Sequence, residues 1–362
     1  MGMKERYIGM FKIVFVILSI LLVVVCFLLG DSYSNFVYSS NDHRAVEMLV
    51  GDLKYKIKIN NKEENSIKIN PGINVLSIEI ESLNEIDTYF KLLTSNNELN
   101  YFYLDNESFG IIKSNDKYYI NLLVSNNKEE IVDCRFIVGS GFINNTIDDV
   151  IIPEGYSDIN NKLYVLDSVK FNSYDFKVLD INNDGTVNII LSNPYNTNTK
   201  LTGLNGYQNS NSIINTLCNE LFESYKIIEN RNVRIEDIEK YTNNTIVTKV
   251  YKDYSRETPF YVPNNDNMVN NIGINETVIN NINGSKYNDV FLNKKYITSN
   301  TYAHIDSELN WGVLSVNNGS VEFTKLYDLN GNEYSEDIYI LPIIKLSNMI
   351  NIKYESGNII IE

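Results

Sequence analysis

Between about residues 46 and 138, apolar side chains recur at every second position, a period that admits little besides half-buried β-strands. Tyr55, Ile57 and Ile59 alternate with Lys56 and Lys58, and Leu76, Ile78 and Ile80 alternate with Ser77, Glu79 and Glu81. Further runs at 88–93, 101–104, 118–124 and 131–138 are separated by the turn signals Asn60-Asn61, Asn96-Asn97 and Asn126-Asn127. Short, evenly spaced strands of this kind pack as two antiparallel sheets, so an all-β sandwich is expected over residues 45–140.

Ahead of these strands, Lys4, Arg6 and Lys12 precede an uncharged apolar run at 13–29, broken only by Ser19. At about 1.5 Å of rise per residue, a helix of this length crosses most of a hydrocarbon layer roughly 30 Å thick, with Lys12 snorkelling to the headgroups. The expectation is a cytoplasmic tail at 1–12, a single transmembrane anchor at 13–30 and the remainder outside the cell, since the basic flank stays inside. The run is long for a secretory signal, and its exit, Gly30-Asp31-Ser32-Tyr33-Ser34, is a mediocre cleavage site, which favours an uncleaved anchor. Cys26 follows Val23-Val24-Val25 rather than a small residue, which argues against a lipoprotein, and Val14 stands where a pilin-like leader after Gly9 requires glutamate.

Charge narrows the partners. The 362 residues carry a net charge of −15, which repels phosphate backbones and anionic lipid, so nucleic acid is excluded as a partner. The length suits two domains after the anchor. The three cysteines, Cys26, Cys134 and Cys218, fall in the apolar run and one in each domain, which leaves no disulfide framework. Cys134 and Cys218 lie on the apolar sides of a strand and a helix and read as buried free thiols.

Gly139-Ser140-Gly141, Asn144-Asn145 and Pro153-Glu154-Gly155 interrupt the alternation, which places a linker at 141–157 and a second domain at 158–362. That domain opens with strands at 163–169, 176–181 and 187–191, the last two joined across Asn182-Asn183-Asp184-Gly185. Ile213, Ile214, Leu217, Cys218, Leu221, Phe222 and Tyr225 form an apolar stripe that predicts a helix over 210–225. A shorter helix at 234–240 follows Asn232 as its expected cap, with Ile235 and Ile238 inward and Glu236 spaced to pair with Lys240. An Asn-rich loop then runs to 289, followed by strands at 296–302, 311–316, 321–326 and 338–346, an α+β order.

The ordered motifs Asp184-Gly185-Thr186-Val187, Leu201-Thr202-Gly203-Leu204-Asn205-Gly206-Tyr207-Gln208-Asn209, Ile214-Asn215 with Leu217-Cys218, and Arg234-Ile235-Glu236-Asp237-Ile238-Glu239 resemble an uncharacterised surface-protein module of low-G+C Gram-positive bacteria. Its late strands have counterparts in Tyr296-Ile297-Thr298-Ser299-Asn300, Trp311-Gly312-Val313-Leu314 and Leu341-Pro342-Ile343-Ile344-Lys345-Leu346. The resemblance covers most of residues 158–362 and implies a C-type-lectin-like fold, with two early helices and a late curved sheet bearing a long loop. It implies no activity. The arginines that it leads one to expect at Asn300, Leu314 and Leu341 are absent. Through Arg44-Ala45-Val46-Glu47-Met48-Leu49-Val50-Gly51, running into a first strand, the earlier half resembles the β-sandwich proteins of Gram-positive surfaces and biofilm matrices.

Several constellations invite chemistry without completing it. Asp180-x-Asn182-x-Asp184-Gly185 opens like a calcium loop, but its twelfth position is Leu191 rather than glutamate and a strand follows, so it reads as a hairpin turn. Val262-Pro263-Asn264 and Asn310-Trp311 lack the charged residue that a calcium-dependent sugar site requires. No metal or cofactor is therefore expected. The two histidines, His43 and His304, the latter near Asp306, form no triad with a nearby nucleophile, and the carboxylates of Asp148-Asp149 and Glu236-Asp237-Glu239 suit solvated faces. The chain reads as a membrane-anchored cell-surface binding or structural protein whose lectin-like module meets a protein or glycan. The long loop at 263–289 is the expected binding surface, with Asn264, Asp266, Tyr287 and Trp311 as contacts. An extracytoplasmic enzyme with a dispersed site, or self-assembly through sandwich edges, are the alternatives.

Overall fold

The structure, a computed structural model, describes residues 53–143, 150–243, 247–250, 273–276, 285–305 and 309–362. The apolar run at 13–29 lies outside them, and among the described residues no helix is long and apolar enough to cross a membrane. The chain is mostly β.

Its first part comprises β1 (Tyr55–Ile59), β2 (Ser66–Ile69), β3 (Gly72–Ser82), β4 (Thr88–Thr94), β5 (Asn100–Tyr103), β6 (Phe109–Ile112), β7 (Lys117–Asn126), β8 (Val132–Phe142) and β9 (Ser157–Asp158). One sheet has the order β1-β3-β7-β5; the other has β2-β8-β4-β6, with β9 also on β4. The alternation explains what lies between them. Leu76, Ile78 and Ile80 of β3 point inward with Ile120, Leu122 and Val124 of β7, and meet Phe90, Leu92, Cys134 and Phe136 from the opposite sheet.

The unbroken apolar run in β7 has a separate cause. Leu123 points away from the sandwich core and joins Ile73 and Phe102 in a second cluster shared with Val169, Phe171 and Leu163. The first sheet is thus buried on both faces at this end, and alternation gives way to continuous apolar sequence. Ile73 N donates to Asn348 O at 2.7 Å and Ile352 N donates to Ser125 Oγ at 2.9 Å across this contact.

The expected linker does not leave the sandwich where composition suggests. β8 extends to Phe142, β9 pairs with β4, Tyr103 N donates to Asn161 O at 3.1 Å, and Ile159 lies in the sandwich core. Pairing along β4 and β5 holds residues 157–163 to the first unit.

The second part contains β10 (Ser168–Phe171), β11 (Tyr174–Ile181), β12 (Val187–Leu191), β13 (Tyr195–Thr202), α1 (Gly203–Leu221), β14 (Ile227–Asn232), α2 (Ile235–Thr242), β15 (Val247–Val250) and β16 (Gly273–Glu276). There follow α3 (Asn288–Phe291), β17 (Lys295–Ile305), β18 (Leu309–Asn317), β19 (Ser320–Asp328), β20 (Ser335–Ile340), β21 (Pro342–Leu346), β22 (Ile352–Glu355) and β23 (Asn358–Ile361). A seven-stranded sheet runs β14-β21-β12-β11-β10-β23-β22, with β10 and β23 parallel and the other pairs antiparallel. β17-β18-β19 form a second sheet, whose Ile297, Trp311 and Val313 pack with Tyr207, Ile214 and Cys218 of α1.

Both helices differ from the sequence expectation. α1 starts at Gly203 rather than 210, directly after β13, and passes so close to that strand that a Cβ on Gly206 would lie 3.0 Å from the Leu201 carbonyl carbon. It ends at Leu221, with Phe222 extended, Asn230 Nδ2 donating to Cys218 O at 2.6 Å, and Tyr225 beyond it 90% exposed. Asn232 does not cap α2. It is fully buried, donating to Ile297 O at 2.6 Å and accepting from Leu341 N at 2.7 Å, so that it joins the two sheets. The α2 terminus is satisfied instead by Asn300, whose Oδ1 accepts from Ile235 N at 2.8 Å. Glu236 takes the Asn300 amide, at 3.1 and 3.0 Å, rather than pairing with Lys240.

Candidate functional site

On one face of the seven-stranded sheet, Asn188 of β12, Lys345 of β21 and Glu229 of β14 lie side by side in register. Residues directly opposite one another on neighbouring strands project to the same face, so these three form a polar row. Arg231, two positions along β14, joins them. Only Val233 and Arg234 separate β14 from α2, and this short connection folds the helix back to bring Asp237, Lys240 and Tyr241 over the row. The result is a recess of about 220 Å³, lined by Asn188, Glu229, Arg231, Asp237, Lys240, Tyr241, Ile343 and Lys345.

The recess is built around a charge fork. Arg231 donates to both oxygens of Asp237, at 2.5 and 2.8 Å, and through Nε to Glu229 at 2.9 Å. The Asp237 carboxylate is the main cause of the rise in the Arg231 pKa above its ordinary value. Asp237 also accepts from Arg234 N at 2.8 Å, which ties the fork to the start of α2.

The Tyr241 ring closes one side, backed by two further rings. Tyr241 stacks on Phe291 at 5.5 Å and tilts against Tyr287 at 5.2 Å, with Lys240 Nζ 4.5 Å above the Tyr241 ring. The Tyr241 hydroxyl donates to Asp180, which also receives Lys240 at 3.4 Å. Burial first, then the hydrogen bond to the Asp180 carboxylate, push the Tyr241 pKa far above the usual phenol range. Tyr241 therefore stays protonated as a donor. Lys345 is in register between a carboxylate and an amide, and no ion pair to it forms among the described residues.

Tyr287 stands beside the recess through its contact with Tyr241, whereas Trp311 does not reach any surface. Trp311 is 0% exposed and packs with α1 in the core, so it is not available as a ligand contact. Its Nε1 is buried and has no hydrogen-bond partner among the described residues. Asn264, Asp266 and Asp306 lie outside the described residues, as does the side chain of His304.

The Asp180, Asn182 and Asp184 segment is a hairpin turn between β11 and β12. Asn182 N donates to Thr186 O at 2.9 Å, and Asp184 Oδ1 accepts from Thr186 N at 3.0 Å and from its hydroxyl at 2.6 Å. Asp180 turns instead to Tyr241 and Lys240, and the oxygens do not converge. Among the described residues no three His, Cys, Asp or Glu side chains are placed to hold a metal ion.

Cys218 is likewise outside the recess. Burial pushes its thiol up to about 12, an inert setting. Leu314 and Leu341, where the resemblance leads one to expect arginine, are fully buried in the apolar cluster around Val233, Ile235 and Ile344.

Arg231, Tyr241, Lys345 and Asn188 are not singled out by sequence. The available signal is Glu229-x-Arg231 on a strand, a two-residue connection, and an acidic first helical turn containing Asp237. No protein-family description, characterised protein or solved structure matches this chain.

Proposed function

We propose that the protein is a membrane-anchored cell-surface binding protein. A β-sandwich carries a lectin-like module, and the recess beside α2 receives one unit of a glycan. The observation that supports this reading is the chemistry of the lining. Donors from Arg231, Lys240, Lys345 and Asn188 stand among acceptors from Glu229 and Asp237, beside the Tyr241 ring. A polyhydroxylated ring uses both kinds of partner and rests its C–H face on aromatic carbon, while few other neutral ligands need so many. The volume lies below the usual range for larger organic ligands and suits a single sugar ring.

A binding role is supported by the engagement of the two lining carboxylates, since Arg231 donates to both Glu229 and Asp237 and holds them in a fixed fork. The position supports the same reading. Tyr287, within the 263–289 segment expected to carry the binding surface, packs its ring against Tyr241 of the recess. Screening the full chain in detergent against immobilised glycans and cell-wall polysaccharides, with calcium and with chelator, tests it. Calcium-independent retention on a defined glycan is expected. Absence of binding to every glycan overturns the reading, and retention abolished by chelator overturns the metal-free site.

A further inference from the structure

The charges that line the recess beside α2 are unevenly matched. Both of its carboxylates are spent on one cation, since Arg231 donates to Asp237 at 2.5 and 2.8 Å and to Glu229 at 2.9 Å. The side chains of Arg231 and Asp237 are only 18% and 12% exposed, so the fork is a fixed wall rather than a pair that opens for a ligand. Lys240 lies at the exposed rim, where it reaches Asp180 at 3.4 Å and covers the Tyr241 ring at 4.5 Å.

Lys345 is the cation that remains. It is half-buried within β21, in register with Asn188 on one side and Glu229 on the other. Among the described residues no carboxylate forms an ion pair with it. Asp184, in the hairpin turn, feels the Lys345 charge, but its pKa is lowered first by the hydrogen bonds from Thr186, which occupy its Oδ1. The side-chain amide of Asn188 likewise makes no hydrogen bond among the described residues. Residues opposite one another on neighbouring strands hold their Cβ atoms about 5 Å apart, so the Lys345 ammonium and the Asn188 amide can converge on one ligand group. A partly desolvated ammonium without a counter-ion is unfavourable, and an anionic group entering the recess relieves that cost.

We propose that the sugar unit received by the recess is an acidic one, its oxyanion seated on Lys345 and Asn188; this rests on the glycan reading above. Hydroxyl groups of the same ring donate to the oxygens of Glu229 and Asp237, and its C–H face lies against Tyr241 and Ile343. The ring contacts are essential to the assignment. The chain carries a net charge of −15, which repels bare anions at long range, so a free ion gains little from a single lysine.

A sugar carboxylate and a sugar phosphate share this chemistry, and a set of related ligands separates them. The test is a ligand-observed NMR titration of the full chain in detergent with glucose and galactose, their uronates, their 6-phosphates and inorganic phosphate. At least one acidic form is expected to bind about tenfold more tightly than its neutral parent, an advantage that shrinks as salt is raised. Preference for a uronate assigns a carboxylate to Lys345, and preference for a 6-phosphate assigns a phosphate. Lys345→Gln should remove the advantage, and so should Asn188→Asp, which gives Lys345 a carboxylate of the protein's own in register; Lys170→Gln should keep it. Neutral parents that bind as tightly as their acids would overturn the acidic unit while leaving the glycan reading intact. Absence of binding by every form would also overturn it, with the immobilised-glycan screen deciding the wider reading separately. Inorganic phosphate binding as tightly as the 6-phosphates would reduce the site to one for a bare ion, and an advantage that survives Lys345→Gln would place the anion elsewhere; either result overturns the proposal.

Discussion

Arg231 and Asp237 face each other as a two-bond fork, 2.5 and 2.8 Å long, that fastens an edge strand of the large sheet to the helix beside it. The same carboxylate receives Arg234 N, so one side chain both holds the helix against the sheet and caps its first turn. Replacing Asp237 by Ala should cost about 1–3 kcal/mol, because it removes two of the bonds to a half-buried guanidinium, leaving Glu229 as its carboxylate partner, and removes a cap. Asp237→Asn should cost less, since an amide oxygen still caps. Urea unfolding of both variants measures this, and a loss below about 0.5 kcal/mol for Ala would place the fork among inconsequential surface pairs.

Gly72 reports on whether the sandwich and the second unit act together. Its φ is +83°, and a Cβ there would lie 2.1 Å from Asn348 O in the other unit. Gly155, with φ +81°, has open space where its Cβ would be. Both alanine variants bear left-handed backbone strain, about 1 kcal/mol, but only Gly72→Ala also displaces the contact between the units. It should unfold at clearly lower denaturant than Gly155→Ala. Equal midpoints would contradict a shared core.

Lys294 supplies a pH dependence. Burial first, and then the nearby Lys177, push its amine down to about 8, while its Nζ donates to Ser192 O at 2.5 Å. An unfolded lysine titrates near 10.4, so between pH 8 and about 10.4 the unfolded chain binds the extra proton and stability rises with pH. The destabilisation is complete below pH 8 and amounts to about 1–2 kcal/mol after allowance for partial exposure. Lys294→Met should remove that rise. Parallel stability curves for the two proteins across this window would refute the assignment.

The two described thiols should be silent in the folded protein. Cys218 is held by burial at about 12, and Cys134, also raised by burial, lies 3.2 Å from Thr94 Oγ1 and 3.1 Å from the Tyr101 hydroxyl. A thiol-reactive chromophore should label neither until denaturant is added. Rapid labelling of either under native conditions would show local opening at its strand or helix.

The sandwich was legible because Leu76, Ile78 and Ile80 obey a single rule, in which every second residue faces one core. Leu122, Leu123 and Val124 break that rule because a second unit covers the outer face, a fact of tertiary packing that has no local signature. The α1 start was hidden by Gly203 and Gly206, residues poor in helix propensity that are required where the helix meets β13. Asn232 illustrates the same limit: as a sequence it is a good cap, and in the fold it is a buried cross-link.

Within the recess, the approach of Lys345 and Arg231 depends on the sheet order β14-β21-β12, which joins segments more than a hundred residues apart. Trp311, an expected ligand contact, instead fills the core beneath α1. Tyr287 ended beside the recess because α3 packs its ring against Tyr241.

The most direct test of the recess is calorimetric titration of the glycan that binds best into the full chain and into two variants. Lys345→Ala removes a cation from the floor of the recess, and Lys170→Ala removes an exposed one from β10. The account predicts about a tenfold loss of affinity, or more, for Lys345→Ala and none for Lys170→Ala. Equal affinities in all three proteins would place the ligand elsewhere and contradict it.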